Sequence, residues 1–311
     1  MELASLIKEY RNRFETKYGS RIRPAHIRAM NDILQCRTPA AGEIIVQCPD
    51  CAKIVHLSHS CGHRSCPKCQ NHETGVWLDR QREKLLPVPY FLVTFTVPAV
   101  LRPIAWCHQQ TFFNLLFETS VAALRDLGSD DRFLGGAIGM TGVLHTNSRK
   151  LDFHPHVHFL MPAGAIDVKN RLWKRKDWHF LFPEKALARL FRGKLIDRIR
   201  QEGWILPDGL RKHDWVVSCK EAGSGEPALK YLSRYLYRGI IAEKRIVENN
   251  DGKVGFLYRE SRTGRWKKRI LPGEDFLWLV LKHVLPRGFR RARDFGFLHG
   301  NARKKLRLVQ L

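Results

Sequence analysis

His154-Pro155-His156-Val157-His158-Phe159-Leu160-Met161 is the stretch on which the reading of this 311-residue chain turns. It is apolar apart from its histidines, and along a β-strand alternate residues share a face. His156 and His158 then project together while Val157 points to the opposite, apolar side. Two imidazoles on one face form a chelate for a divalent ion. His154 has the same parity, although Pro155 marks the point where the strand begins. A third donor has to come from elsewhere. Gly135–His145 reads as a second strand, joined to Phe153–Met161 through the polar turn Thr146–Lys150. If that antiparallel hairpin pairs His145 opposite His154, His145 is a possible third ligand, and a one-residue change of register turns it away.

Outward from this hairpin the pattern is mixed. Tyr90–Val97 is a buried-strand run bounded by Pro89 and Pro98, and Ile104–Leu127 carries an apolar helical stripe. Glu184–Arg200 is amphipathic, Asp214–Ser218 is a short strand, and Pro227–Arg238 is a helix opened by Pro227. Strands at 244–248, 254–259 and 266–271 precede a helix at about 273–284. Residues 1–35 are helical. Helices and strands without strict βαβ alternation predict an α+β fold with helices packed on one side of a sheet. The expected organisation is an N-terminal helical and zinc-binding module over 1–86, a catalytic domain over 87–286 and a basic tail over 287–311 with few core residues.

The helix Glu226-Pro-Ala-Leu-Lys-Tyr-Leu-Ser-Arg-Tyr-Leu-Tyr-Arg238 places Tyr231 and Tyr235 one turn apart on one side. Lys230, Arg234 and Arg238 repeat at the same spacing as a parallel basic row, a candidate DNA-binding edge. A phenol with a pKa near 10 is a poor nucleophile at neutral pH. It becomes useful where a metal polarises a phosphate and cations stabilise the developing charge. Tyrosine pairs at this spacing are also ordinary packing, and the histidine strand upstream is what favours chemistry here.

Eight cysteines are present, and five of them fall between Cys48 and Cys69. Cys48-Pro-Asp-Cys51 and Cys66-Pro-Lys-Cys69 are two knuckles, each able to offer two thiolates to one Zn²⁺. Four protein ligands leave no open position, so this zinc is expected to be structural, which argues against a zinc hydrolase. Cys61 lies between the knuckles and is an alternative ligand. Cys36, Cys107 and Cys219 are isolated, and a buried thiol is the default for such positions.

With 54 Lys and Arg against 30 Asp and Glu, the chain carries a formal charge of +24. Such an excess calls for a polyanion, and nucleic acid is the usual one. No apolar run approaches the roughly 18–20 residues that span a bilayer, and the charged N-terminus lacks a signal-peptide core. The expected location is the cytoplasm, associated with the nucleoid, with neither a membrane nor a small-molecule substrate as partner.

The order of these parts resembles the rolling-circle, two-tyrosine insertion-sequence transposases that carry an N-terminal zinc domain. The resemblance runs through Cys36-Arg-Thr-Pro39, Cys48-x2-Cys51, Ser60-Cys61, Cys66-Pro-Lys-Cys69-Gln70 and Leu85-Leu-Pro-Val-Pro-Tyr90. It continues through Val143-Leu-His145-Thr146, His154-Pro-His156-Val-His158, Tyr231-Leu-Ser-Arg-Tyr235 and His283-Val-Leu-Pro-Arg-Gly-Phe289. It implies an HUH single-strand DNA endonuclease and strand transferase on an RRM-like antiparallel sheet. His156 and His158 would be ligands of Mg²⁺ or Mn²⁺, and Tyr231 and Tyr235 the nucleophiles that form 5′-phosphotyrosine at the element ends. Two other readings share parts of the pattern: a non-catalytic zinc-containing DNA-binding protein, such as a degenerate transposase acting as a repressor, and a plasmid rolling-circle replication initiator.

Overall fold

The computed structural model describes every residue except 70, 177, 178, 235, 237 and 238, together with the side chains of 71 and 211. The chain resolves into two units that interleave in sequence. One comprises Met1–Val76, Asn147–Phe153 and Tyr237–Arg287; the other comprises Trp77–Thr146, His154–Leu236 and Gly288–Leu311. The sequence reading divides the chain into consecutive segments instead.

The first unit begins with helices α1 (Leu3–Tyr18) and α2 (Pro24–Gln35), followed by a hairpin of β1 (Glu43–Gln47) and β2 (Ile54–Ser58). The apolar stripe Leu3, Leu6, Ile7, Tyr10 and Phe14 of α1 is wholly buried. The hairpin has no core of its own: all of β1 and nearly all of β2 are exposed. Helix α3 (Asn71–Arg82) follows, and the boundary between the two units falls within it, after Val76.

The second unit is built on a five-stranded antiparallel sheet. Its strands are β3 (Tyr90–Thr96), β4 (Met140–Asn147), β5 (Phe153–Pro162), β8 (Val216–Glu221) and β12 (Ala292–Phe295), in the order β12-β4-β5-β3-β8. Between them in the chain run α4 (Arg102–Cys107), α5 (Gln109–Ser129), the small hairpin β6 (Gly164–Asp167) and β7 (Leu172–Arg175), α6 (Glu184–Gln201) and α7 (Glu226–Ser233). Val157 and Phe159 of β5 are fully buried. Phe159 meets Phe117 of α5 edge-on at 6.2 Å and Phe95 of β3 at 5.9 Å, and Phe95 in turn meets Phe191 of α6 at 5.0 Å. The α5/α6 layer thus covers one face of the sheet and fixes strand parity: an apolar residue at 157 or 159 pointing the other way would be lost to the core.

Back in the first unit, β9 (Ile246–Asn250), β10 (Lys253–Arg259) and β11 (Trp266–Pro272) form a three-stranded sheet in the order β11-β10-β9. Helix α8 (Gly273–Leu281) then packs against α1. Gly273 is required there, because a Cβ would stand 2.3 Å from the Tyr10 ring. Tyr18 stacks on Trp278 with centroids 4.8 Å apart.

Three expectations differ from the structure. The helix expected over Ile104–Leu127 is two helices, because His108 leaves helical geometry and stacks on Trp204 at 4.4 Å. Helix α7 covers Glu226–Ser233 and the Leu236 N–H turns back to the Ser233 carbonyl, while residues 235, 237 and 238 of the expected helix lie outside the described residues. The basic C-terminal segment is part of the fold. Ala292–Phe295 pairs with β4, and Phe297, Leu298 and Leu306 are buried, the last on α9 (Arg303–Gln310). Its apolar residues are sparse in sequence but fall where the sheet edge needs them.

Candidate active site and metal centre

Strand β5 presents His156 and His158 on the face opposite Val157, and the neighbouring strand β4 supplies His145. One ring nitrogen from each of the three lies within 4.8 Å of the others. The His145 ring is 4.5 Å from that of His158 and 5.2 Å from that of His156. His154 stands outside this group and contacts Arg102 at 2.9 Å.

The polar partners of the two β5 rings bear on which nitrogen is open. His156 Nδ1 is 2.7 Å from the His154 carbonyl oxygen. A carbonyl can only accept, so Nδ1 carries the proton and Nε2 keeps its lone pair. His158 Nδ1 is 2.7 Å from Thr94 Oγ1, the residue directly across the ladder on β3. With that hydroxyl accepting, His158 Nε2 is also a lone-pair donor, and it is buried with no hydrogen-bond partner among the described residues. Imidazoles held at one nitrogen and open at the other are the arrangement found around bound metals.

Burial keeps all three rings neutral. It pushes His156 down to about 3, with His158 adding to the effect, and His158 down to about 4. His145 is driven well below its ordinary value by burial first, then by His158, His156 and Arg291. Neutral imidazole is the form that ligates. Three nitrogens from two adjacent strands leave coordination positions for water or for phosphate oxygens, as a catalytic site requires.

Tyr231 comes to the same face from α7. Its ring centroid is 6.0 Å from His158 and 6.3 Å from His145, and the residue remains 39% exposed. The helix is anchored at its start. Gly225 holds φ +80, and a Cβ there would stand 2.7 Å from the Tyr90 ring of β3. Leu229 and Leu232 are buried, and Glu226 binds Arg82 and Lys230, each at 3.0 Å. Lys230 and Arg234 are exposed along this helix and at its end. Tyr235 and Arg238 lie outside the described residues.

The cysteine cluster corrects the sequence reading. Cys36, Cys61, Cys66 and Cys69 bring their sulfurs within 4.8 Å of one another. Cys61 and Cys69 are 3.7 Å apart, close to the ~3.8 Å edge of a tetrahedron with Zn–S bonds of about 2.3 Å. Cys48 and Cys51 are not in this group. They sit at the tip of the β1/β2 hairpin, whose register runs from Glu43↔Ser58 at its base to Gln47↔Ile54 at its far end. Five residues at about 3.4 Å each carry that tip some 17 Å from the base. Cys36 and Cys61 flank the base, which the Arg37 N–H closes onto the His59 carbonyl. The spacing of the two knuckles carries no information about that reach; the hairpin pattern between Cys36 and Cys61 was the signal available.

Within the cluster Cys66 is pushed down to about 5, mainly by the Cys61 thiol and then by the backbone N–H groups of Lys68 and Cys69. Cys61 is pushed up, first by that same hydrogen bond and then by burial. Burial and the neighbouring Cys66 raise Cys69 to about 11. Four crowded sulfurs cannot all ionise alone, and a dication relieves that repulsion. Thr94 and the His154 carbonyl are the other site contributors that the sequence reading did not single out.

Comparison with known proteins places both clusters. Residues 139–305 match the family described as "Putative transposase", and residues 6–97 match "Transposase zinc-binding domain", the zinc domain of IS91-type elements. The chain is 32% identical over 333 aligned positions to "Putative transposase y4qJ" of Sinorhizobium fredii, covering 99% of this chain and 83% of that protein. It is 27% identical over 304 positions to "Transposase for insertion sequence element IS801" of Pseudomonas savastanoi pv. phaseolicola, covering 89% and 71%. Among the described residues, no helix is long and apolar enough to cross a membrane.

Proposed function

The chain belongs to the IS91 family of rolling-circle insertion-sequence transposases, and on that premise we propose that it nicks and rejoins single-stranded DNA at the element ends through 5′-phosphotyrosine intermediates. The observation that carries this reading is the convergence of His145, His156 and His158 with the Tyr231 ring on one face of the sheet. His156 and His158, with His145 as third ligand, would hold Mg²⁺ or Mn²⁺. The bound ion supplies Lewis-acid polarisation of the scissile phosphate.

Tyr231 Oη attacks phosphorus, the bond to the 3′-oxygen breaks, and the phenolic proton passes through solvent to that oxygen. One phosphodiester is exchanged for another, so the later attack of a 3′-hydroxyl on the phosphotyrosine needs no external energy source. Tyr235, four residues further along the sequence, is the second nucleophile in this scheme. Lys230, Arg234 and Arg238 neutralise phosphates beside the reacting strand. The cysteine cluster takes a structural Zn²⁺ in the zinc-binding domain.

The test incubates the full chain with end-labelled single-stranded DNA containing the element terminus and Mn²⁺, then looks for a denaturation-resistant protein–DNA band. Tyr231→Phe combined with Tyr235→Phe should abolish that band with DNA affinity nearly unchanged. His158→Ala should lower its rate of formation by at least about a hundredfold, the scale of lost charge stabilisation at a metal site. A band that survives the double tyrosine substitution refutes the nucleophile assignment.

A further inference from the structure

The outer face of the three-stranded sheet in the first unit has no role in the chemistry above. Val254, Phe256 and Tyr258 of β10 are buried; on the other face Gly255 is also buried, Leu257 is half-buried and Arg259 is exposed. The register places Ile270, Lys268 and Trp266 of β11 opposite them, and β11 is an edge strand. Trp266 is 56% exposed and Ile270 44%. The Arg245 guanidinium sits 5.4 Å from the Trp266 ring centroid. Residues 244–272 hold nine Lys and Arg against three Asp and Glu. Lys267 and Lys268 meet Glu260 and Glu248, and Arg269 meets Asp152. Arg259, Arg262 and Arg265 have no carboxylate partner among the described residues.

An exposed tryptophan and isoleucine on a sheet edge cost hydrophobic free energy unless something covers them. We propose that this outer face is a docking surface for an unpaired DNA strand, with a base stacked on Trp266 and the adjoining phosphates met by Arg245 and Arg259. The inference rests on the reading that the chain handles single-stranded DNA, and names a further surface for it.

Charge decides the occupant. A second copy of this chain carries the same +24 and is repelled, whereas a nucleic-acid strand is drawn in and releases counterions on binding. The tryptophan decides the form of DNA. In a duplex the bases are already stacked on one another, and a flat indole beside the Arg245 guanidinium is a platform for a free base. Arg259 is the cross-strand partner of Trp266, and Arg245 reaches the same ring.

The test measures binding only, by fluorescence anisotropy with the full chain and no added Mg²⁺ or Mn²⁺. The probes are a labelled oligothymidine and a labelled duplex. Trp266→Ala should weaken oligothymidine binding roughly tenfold, the scale of one lost base stack, and leave duplex binding unchanged. Trp266→Phe should restore most of the loss. Arg245→Gln with Arg259→Gln should flatten the salt dependence of oligothymidine binding by about one counterion per phosphate contact removed. Unchanged oligothymidine binding by Trp266→Ala overturns the proposal, as does an equal loss on both probes. So does a change of sedimentation from dimer to monomer, which would identify a second copy as the occupant. Because no strand is cut, the result stands whether or not the tyrosines form an adduct, and Tyr231→Phe should bind both probes like the native chain.

Discussion

The cysteine cluster of the first unit and the histidine cluster of the second hold ion donors at comparable spacing, but by opposite means. The four sulfurs come from a segment with almost no core: β1 and β2 are exposed along nearly their whole length, and Cys36 and Cys61 meet only because the hairpin between them folds back. There the ion holds the chain. The three imidazoles stand on neighbouring strands whose other face is sealed by Phe95, Phe117 and Phe159. There the chain sets the donors by its own packing. A closed set of four thiols suits structure, and an open set of three imidazoles beside an exposed phenol suits chemistry.

The strongest way to break this contrast is to remove one sulfur. Cys66→Ser should strip the zinc and unfold the segment around the hairpin, at a cost on the order of several kcal/mol, seen as lost zinc content and rapid proteolysis there. Cys48→Ser should leave zinc content and protease resistance as they were. Equal zinc loss from both variants would return the ligand set to the two knuckles.

A smaller effect separates metal from burial inside the first unit. His26 is fully buried, its ring edge-on to Trp278, and burial followed by Arg23 lowers it from 6.5 to about 4. Below pH 6.5 the unfolded chain binds this proton and the folded chain does not. The stability it contributes is therefore complete above that pH, falls as pH drops towards 4, and levels off below. The full change is about 3 kcal/mol at 1.4 kcal/mol per pH unit. Denaturant titrations of zinc-loaded protein should show a shallower loss over this window for His26→Gln than for the native chain. Parallel curves would contradict the assignment.

The smallest effect belongs to the histidine cluster. Thr94→Val keeps the strand and the volume but removes the partner of His158 Nδ1. Mn²⁺ affinity, followed by titration calorimetry, should drop by about tenfold, with melting unchanged and Thr94→Ser close to native. An unaltered affinity would mean that packing alone orients the ring.

Much of this molecule was legible beforehand. The HPHVHFLM parity follows from strand geometry, and burial of Val157 and Phe159 enforces it. The strand at Tyr90 and the helices at Leu3 and Glu184 stand close to where their periodicity puts them. The grouping of the cysteines was less legible, because a C-x2-C turn is a local signal and the choice among turns depends on hairpin reach.

The sequence by itself determined the class of the fold, the shared face of His156 and His158 and the excess of positive charge, since each depends on neighbours along the chain or on composition. Tertiary structure alone decided that Cys36 and Cys61 join Cys66 and Cys69, that His145 reaches the β5 histidines, and that the basic C-terminal segment completes the sheet. Those are contacts between residues far apart in sequence, and they follow from strand order and hairpin length, which no local spacing encodes.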